Sequence, residues 1–102
     1  MDRIAMLKEV LAADANNVLA RYGLAMEYSK SGDTDAALAE FNKLIETSPD
    51  YVAAYQQAAQ TLLNAERYDD ARQMLNRGIA TAERAGNTHA RSEMEGILME
   101  IG

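Results

Sequence analysis

The sequence predicts an all-α fold, and three observations carry that prediction. Alanine makes up about a fifth of the 102 residues, Leu, Met, Glu, Arg and Gln are abundant, and Val is scarce. This composition favours helices over strands. Residues that interrupt helices are few and fall at regular places along the chain. Between those places, apolar residues recur three and four positions apart, which is the period of an amphipathic helix.

Five short segments carry the residues that cap or end helices, and they divide the chain into six segments of helical length. The five are Ala13–Asn17, Ser31–Asp33, Ser48–Asp50, Asn64–Arg67 and Gly86–Thr88. Because these connections are short, neighbouring helices must run antiparallel. The sequence therefore predicts about six antiparallel helices in three successive hairpins.

Each of the six segments carries an apolar stripe at helical spacing and is predicted to bury that face. In the first three segments the stripes are Ile4, Leu7, Val10 and Leu11, then Ala20, Leu24, Ala25 and Tyr28, then Ala37, Leu38, Phe41, Leu44 and Ile45. In the last three they are Tyr55, Ala58, Ala59 and Leu62, then Ala71, Leu75, Gly78, Ile79 and Ala82, then Ala90, Met94, Ile97, Leu98 and Ile101. Alanine holds many of these positions, so paired helices are expected to approach closely.

The chain repeats itself with a period of 34 residues. Identical residues one period apart include Val18 and Val52, Ala20 and Ala54, Ala25 and Ala59, Asp35 and Asp69, Ala37 and Ala71, and Ile45 and Ile79. The same shift places Leu7, Val10 and Leu11 on Phe41, Leu44 and Ile45, so the first helix corresponds to the second half of a unit. A period of this length is typical of stacked helical hairpins.

Two full units share an ordered set of large, small and aromatic residues. Residues 18–51 carry Arg21, Leu24, Ala25, Tyr28, Ala37, Phe41 and Pro49, and residues 52–85 carry Tyr55, Ala58, Ala59, Leu62, Ala71 and Leu75. This order resembles the tetratricopeptide repeat family, from which the chain departs at Arg21 and at Glu83, which stands in place of Pro. Because Glu does not stop a helix as Pro does, the fifth helix is expected to continue to about Ala85.

The resemblance implies a single domain, residues 1–102, in the form of a helical-hairpin repeat solenoid. Its parts would be an N-terminal half repeat (1–17), two repeats (18–51 and 52–85) and a C-terminal capping helix (86–102). A lone hairpin cannot bury its apolar face, and about three stacked units are needed for stability. The capping helix is expected to cover the last hairpin with Met94, Ile97, Leu98 and Ile101 and to face water with Arg91, Glu93, Glu95 and Glu100.

Charge and composition argue against several classes of partner. The chain has 10 basic and 16 acidic residues, a formal charge of -6 and a pI near 4.6. Nucleic-acid affinity depends on contacts between basic residues and phosphates, so neither nucleic acid nor an anionic membrane is an expected partner. The chain has no Cys, which is typical of a reducing compartment, and no apolar stretch of signal-peptide length. We therefore expect a cytoplasmic protein.

No set of residues in the sequence predicts catalysis, a metal site or a cofactor. His89 is the sole histidine and has no Cys or second imidazole at ligand spacing. Asp33 and Asp35 resemble the start of a calcium loop, but the required Gly is missing, and Asp33 is better explained as the N-cap of the third helix. The Arg residues of the last third are interspersed with acids, as on a solvated face. The protein is therefore not expected to be an enzyme.

The second helix is apolar on almost all sides. Opposite its core stripe, at about 100° per residue, fall Leu19, Tyr22 and Met26. The family resemblance implies that the first helix of each hairpin lines a concave groove. The implied groove residues are Leu19, Tyr22, Met26, Ser29, Lys30, Ala53, Gln56, Gln60, Leu63 and Asn64.

An apolar half beside an amide-rich half suits an extended or helical peptide. Tyr22 and Met26 would anchor it, while Gln56, Gln60 and Asn64 would bond its backbone. The expected function is thus a non-catalytic protein interaction module. Two alternatives remain open: the apolar residues pack on each other or on a terminal helix, or the groove or the C-terminal helix joins two copies in a homodimer.

One property of the resembling family is not expected here. Members that grip the C-terminal carboxylate of chaperones use Lys, Arg and Asn at groove positions. In this sequence, Tyr22, Met26, Gln56 and Gln60 hold most of those positions, which leaves Lys30 nearly alone. Binding of a chaperone tail is therefore not predicted from the resemblance.

Overall fold

The computed structural model describes residues 2–102 and contains six α-helices. They are α1 (Arg3–Ala13), α2 (Val18–Lys30), α3 (Thr34–Thr47), α4 (Val52–Asn64), α5 (Tyr68–Ala85) and α6 (Thr88–Ile101). No strand occurs in these residues, so the predicted all-α helical repeat is confirmed, and α5 ends at Ala85 as expected. Met1, the first residue of the predicted half repeat, lies outside the described residues.

Four helices begin at a side chain that accepts a hydrogen bond from the backbone of the first turn. The accepting oxygens belong to Asp2, Asn17, Asp33 and Asn87, and the donor in each case is the amide three residues later. Such caps satisfy one of the amides that a helix start leaves without an intrahelical partner. The predicted N-cap role of Asp33 is confirmed.

The first helix of each hairpin contacts the first helix of the next, because α2 packs on α4 and α4 packs on α6. The hydroxyls of Ser29 and Thr61 lie 2.9 Å apart across the α2–α4 contact. Within residues 2–102, no Cα atoms of the second helices α1, α3 and α5 lie within 8 Å of one another. Because the stack is closer on one side than on the other, it curves toward α2, α4 and α6. The surface that these three helices expose is called the first-helix face below.

Small residues at the helix contacts make the core. Ala25, Ala37, Ala58, Ala59 and Ala71 are all fully buried. The space between them is filled by the large buried side chains Phe41, Leu44, Leu75 and Met94. This is the close approach that the alanine-rich stripes predict.

Helix α1 is the exception, because it has no buried residue. It packs on α2 alone, so only the side of its stripe that faces α2 is covered. Val10 belongs to the predicted stripe and remains 38% exposed.

The two departures from the family pattern have separate structural explanations. Arg21 forms an ion pair with Glu40, in which both side chains are largely buried, and donates to the Ala15 carbonyl oxygen at 2.9 Å. One period later, the Tyr55 hydroxyl donates to the Pro49 carbonyl oxygen at 2.7 Å. Arg21 and Tyr55 thus tie the preceding loop to the helix in the same way. Glu83 lies inside the long helix α5.

Helices α2, α4 and α5 end in the same backbone motif. The second residue after α2 and after α4, and the first residue after α5, have a positive φ. The values are 80° at Gly32, 60° at Glu66 and 72° at Gly86. The following amide then bonds a carbonyl five residues back, as Asp33 does to Tyr28 and Arg67 to Leu62. Gly32 and Glu66 are one period apart, so the same left-handed turn holds a glycine in one unit and a glutamate in the next.

Replacement of Glu66 by Gly is expected to raise the free energy of unfolding by about 1 kcal/mol. The left-handed conformation costs a residue with a Cβ roughly 1–2 kcal/mol, and the greater freedom of an unfolded glycine offsets part of the gain. Gly32→Ala, at the equivalent turn, should lower it by a similar amount. Urea unfolding followed by circular dichroism measures both. A Glu66→Gly variant that is less stable than the parent would contradict the conformational explanation.

Candidate functional site on the first-helix face

Among the apolar residues on the outer side of α2, Leu19 has the most exposed side chain. Leu19 is 76% exposed, whereas Tyr22 and Met26 are half-buried and pack against the core. Together they line an open cavity of about 500 Å³. The full lining is Arg3, Leu19, Tyr22, Gly23, Met26, Glu27 and Lys30. Four of the ten predicted groove residues, those at 19, 22, 26 and 30, therefore border one cavity.

Tyr22 is held in place by two aromatic rings. Its ring meets Phe41 edge-on at 6.3 Å between centroids, and Tyr51 edge-on at 5.6 Å. Burial, and secondly the nearby phenol of Tyr51, raise the pKa of Tyr22 above its ordinary value of 10. The hydroxyl is therefore a neutral hydrogen-bond donor near pH 7. This hydroxyl has no hydrogen-bond partner among residues 2–102. Tyr22 therefore packs against the core and also remains partly exposed to solvent.

The predicted groove residues on α4 lie on the neighbouring helix and do not line that cavity. Ala53, Gln60 and Asn64 are exposed, and Gln56 and Leu63 are half-buried. The Gln60 amide donates to the Asn64 side-chain oxygen at 3.0 Å. The thirteen residues of α4 include no charged side chain, so this part of the face offers amides and small apolar groups.

Ser29 and Lys30 are already engaged at the end of α2. The Ser29 hydroxyl is paired with that of Thr61, and the Lys30 ammonium lies 3.4 Å from a Glu27 carboxylate oxygen. The other Glu27 oxygen lies 2.9 Å from Nε of Arg3. Two cations therefore share one half-buried carboxylate at this end of the face, and Asp2 borders a cavity with the same three residues.

Four residues at or beside this site were not predicted from the sequence. Gly23 and Glu27 of α2 line the cavity itself, and Arg3 and Tyr51 reach it from elsewhere in the chain. Arg3 reaches it from α1 by pairing with Glu27, and Tyr51 reaches it from the loop before α4 by packing on Tyr22. No local pattern marks Arg3, because its partner lies on another helix. A signal for Tyr51 did exist: it stands one period after Asn17, where a capping side chain is expected.

Several charged side chains away from this site form ion pairs on the outer surface. His89 is exposed and lies 3.1 Å from Glu93, one helical turn away. Arg67, Arg72 and Arg91 each pair with nearby acids, as the interspersed charges predict. Residues 2–102 hold no group of three or more potential metal ligands. None of the helices in this part of the chain has the length and apolar character needed to cross a membrane.

Comparison with known proteins identifies the repeat. A family model described as tetratricopeptide repeat matches residues 28–91. The chain is 30% identical over 95 residues to a tetratricopeptide repeat-containing protein of Pseudomonas aeruginosa, and the match spans 93% of this chain and 90% of the relative.

Solved structures agree with the fold. A protein from Bordetella parapertussis, 26% identical, superposes with a TM-score of 0.86 over 99% of this chain and 88% of its own. The TPR2B domain of yeast Sti1, solved in a complex with pHsp70, gives a TM-score of 0.86 at 19% identity, over 96% of this chain and 78% of that one. The latter likeness concerns the fold alone. Proteins of this fold generally mediate protein–protein interaction and are generally non-catalytic, and the chain belongs to the tetratricopeptide repeat family.

Proposed function

We propose that this chain is a non-catalytic interaction module that binds a peptide or helix of a partner protein on the concave first-helix face. The observation that carries the proposal is the cavity bordered by Leu19, Tyr22 and Met26. Leu19 is a large apolar side chain left 76% exposed, although Tyr22 one turn away and Met26 two turns away pack inward. Exposed apolar surface beside half-buried aromatic and Met side chains is typical of a binding site.

The neighbouring helix complements this apolar end. An extended peptide that leaves the cavity would cross α4, where Gln56, Gln60 and Asn64 offer amide donors and acceptors to its backbone. Leu63 and Ala53 would provide small apolar contacts between them. Ser29 would contribute mainly by keeping α2 and α4 in register, because its hydroxyl is paired with Thr61.

Leu19→Glu and Tyr22→Ala are expected to weaken binding of peptides selected on this chain from a random display library by 10-fold or more. A buried anchor typically contributes at least 2 kcal/mol to such an interface. Leu19→Glu should leave thermal stability unchanged, because the side chain is exposed and a Glu in the first turn is favourable. Tyr68→Ala, an exposed aromatic on α5, is the control. Fluorescence polarisation with labelled peptides gives the dissociation constants.

The proposal fails if no peptide is enriched. It also fails if the enriched peptides bind the Leu19→Glu variant as tightly as the parent while Tyr68→Ala weakens them.

A second function, assembly of copies through the C-terminal helix, is favoured by a separate observation. Met99 is 84% exposed and borders an open cavity of about 400 Å³ between α5 and α6. Its lining is Asn76, Ile79, Glu95, Leu98 and Met99. A homodimer formed there would dissociate in a Met99→Glu variant, and light scattering after size exclusion would detect it. A parent chain that is a strict monomer at high micromolar concentration removes this function.

Three further parts of the proposal rest on the sequence. The absence of Cys from the chain supports a cytoplasmic role as a scaffold. The excess of acidic residues supports a protein partner over nucleic acid or an anionic membrane. The 34-residue period supports a half repeat over 1–17, repeats over 18–51 and 52–85, and a capping helix over 86–102.

A further inference from the structure

The residue at the N-cap of α4, Tyr51, does not cap the helix with its side chain. Helices α2, α4 and α6, which form the first-helix face, have Asn17, Tyr51 and Asn87 as N-caps. Both asparagines accept a hydrogen bond from the first turn, and Tyr51 makes no side-chain cap bond. An asparagine would stabilise the start of α4. Tyr51 is therefore not explained by the needs of its own helix.

The Tyr51 ring instead enlarges the aromatic surface beside the cavity. It lies 5.6 Å from the Tyr22 ring, which in turn contacts the buried Phe41. Tyr51 and Tyr22 both remain half-exposed. Neither hydroxyl has a hydrogen-bond partner among residues 2–102. The result is a rigid aromatic pair, supported from below by the core, that presents two donor groups at its rim.

Three sets of equivalent positions across the first-helix face change character in the same direction. The N-caps and the buried Ala54 and Ala90 show that α6 follows α4 with an offset of 36 residues. In the order α2, α4, α6, equivalent positions are Tyr22, Gln56 and Ser92, then Met26, Gln60 and Gly96, then Lys30, Asn64 and Glu100. At the first two of these positions bulk and apolar character decrease toward α6, and at the third the charge changes from positive through neutral to negative. The series Ser29, Leu63 and Met99 runs the other way, toward larger apolar side chains.

The α6 end is acidic on its exposed side. Glu100 is exposed and has no basic partner within 4 Å among residues 2–102, and Glu93 pairs only with His89 there. At the other end, Arg3 and Lys30 share Glu27. The charged groups thus attract a basic group at α6 more than at α2, where Glu27 and Asp2 balance Arg3 and Lys30.

We propose that the ligand is an extended segment with one apolar side chain seated against Tyr22 and Tyr51 and a Lys or Arg that reaches Glu93 and Glu100. This inference rests on the proposed function of the same face. Neighbouring packed helices lie about 8–10 Å apart, so α2 and α6 are separated by about 16–20 Å. Glu93 is nearly level with Ser92, the α6 equivalent of Tyr22, but Glu100 lies about 12 Å further along the helix, which makes its span from Tyr22 about 20–23 Å. An extended chain advances about 3.3 Å per residue. The basic residue therefore stands about five to seven positions from the apolar anchor.

The test is selection of random dodecapeptides on the full chain, followed by binding of single synthetic peptides in fluorescence polarisation. The enriched sequences are expected to pair an apolar anchor with a basic residue at that spacing. Tyr51→Asn, matched to the caps Asn17 and Asn87, should weaken binding 10-fold or more while the unfolding midpoint stays near that of the parent, because a gained cap replaces lost ring contacts. Tyr51→Phe keeps the ring and should lose less.

Glu100→Lys tests the charge. It should weaken a basic peptide several-fold and tighten the same peptide with Glu in place of its Lys, whereas Glu46→Lys on the outer helix α3 should do neither. Peptides that lose affinity with Leu19→Glu but bind both Tyr51 variants as the parent does would overturn this inference and leave the proposed function standing. Enriched peptides without a basic residue at that spacing would also overturn it. A selection that enriches nothing would overturn the proposed function itself.

Discussion

Replacement of Phe41 by Ala is expected to lower the free energy of unfolding by about 3–5 kcal/mol. The Phe41 side chain is completely buried, with an exposed fraction of 0%. Ala25 and Ala37 are small buried residues of the same core and have no side-chain length with which to fill a cavity. The collapse that moderates many core truncations is therefore restricted here.

A loss of this size is a large part of the stability of a small domain, which is about 5–15 kcal/mol. The variant should be substantially less resistant to urea, with an unchanged slope if unfolding stays two-state. Tyr68→Ala, which removes an exposed aromatic, should change the free energy by less than about 0.5 kcal/mol. A cost below about 1 kcal/mol for Phe41→Ala would show that the hairpins repack freely and would contradict the described core.

Replacement of Met94 by Ala is expected to cost about 2–5 kcal/mol. Met94 is the fully buried contact of α6, and it lies where three helices meet. A Cβ added at Gly78 of α5 would come within 2.6 Å of its sulfur and 2.8 Å of the Tyr55 Cβ of α4. Gly78 thus makes room for Met94, and an alanine at position 94 would leave that space empty.

Met99→Ala on the same helix is the matched control. Met99 is 84% exposed, so its truncation should change the free energy by less than about 0.5 kcal/mol. Because repeat units are stabilised by their neighbours, the Met94 variant should also lose hydrogen-exchange protection in α6 before the rest of the chain. Equal effects of the two Met variants would mean that α6 is not docked through Met94.

The helices were predictable because their signals are local. Apolar spacing identified all six, and Asp33 and Glu83 gave the start of α3 and the extension of α5. The alanines predicted from the repeat are fully buried except for Ala20, which is 6% exposed. They were predictable because a close helix contact requires small residues, and that requirement is visible in the sequence. Val10 was placed in a core stripe but is partly exposed, because periodicity identifies a face without showing whether a neighbour covers it.

The candidate site was only partly predictable. Helix α2 is apolar on its outer side as well as on its core side. This unusual pattern pointed to Leu19, Tyr22 and Met26 from the sequence alone. The partial burial of Tyr22 depends on Tyr51, which is 29 positions away in the chain, and the partner of Arg3 is Glu27 on another helix. Contacts between elements of this kind have no period and no fixed spacing.

The sequence by itself therefore determined the fold class, the repeat and the residues that build each hairpin, because each follows from short-range periodicity and from the size of the residue at a helix contact. Only the tertiary structure decided the curvature toward α2, α4 and α6, the aromatic pair beside the cavity and the direction in which charge changes across that face. Those properties arise when residues far apart in the chain are packed together. They depend on which helix lies beside which, and that is a property of the assembled stack.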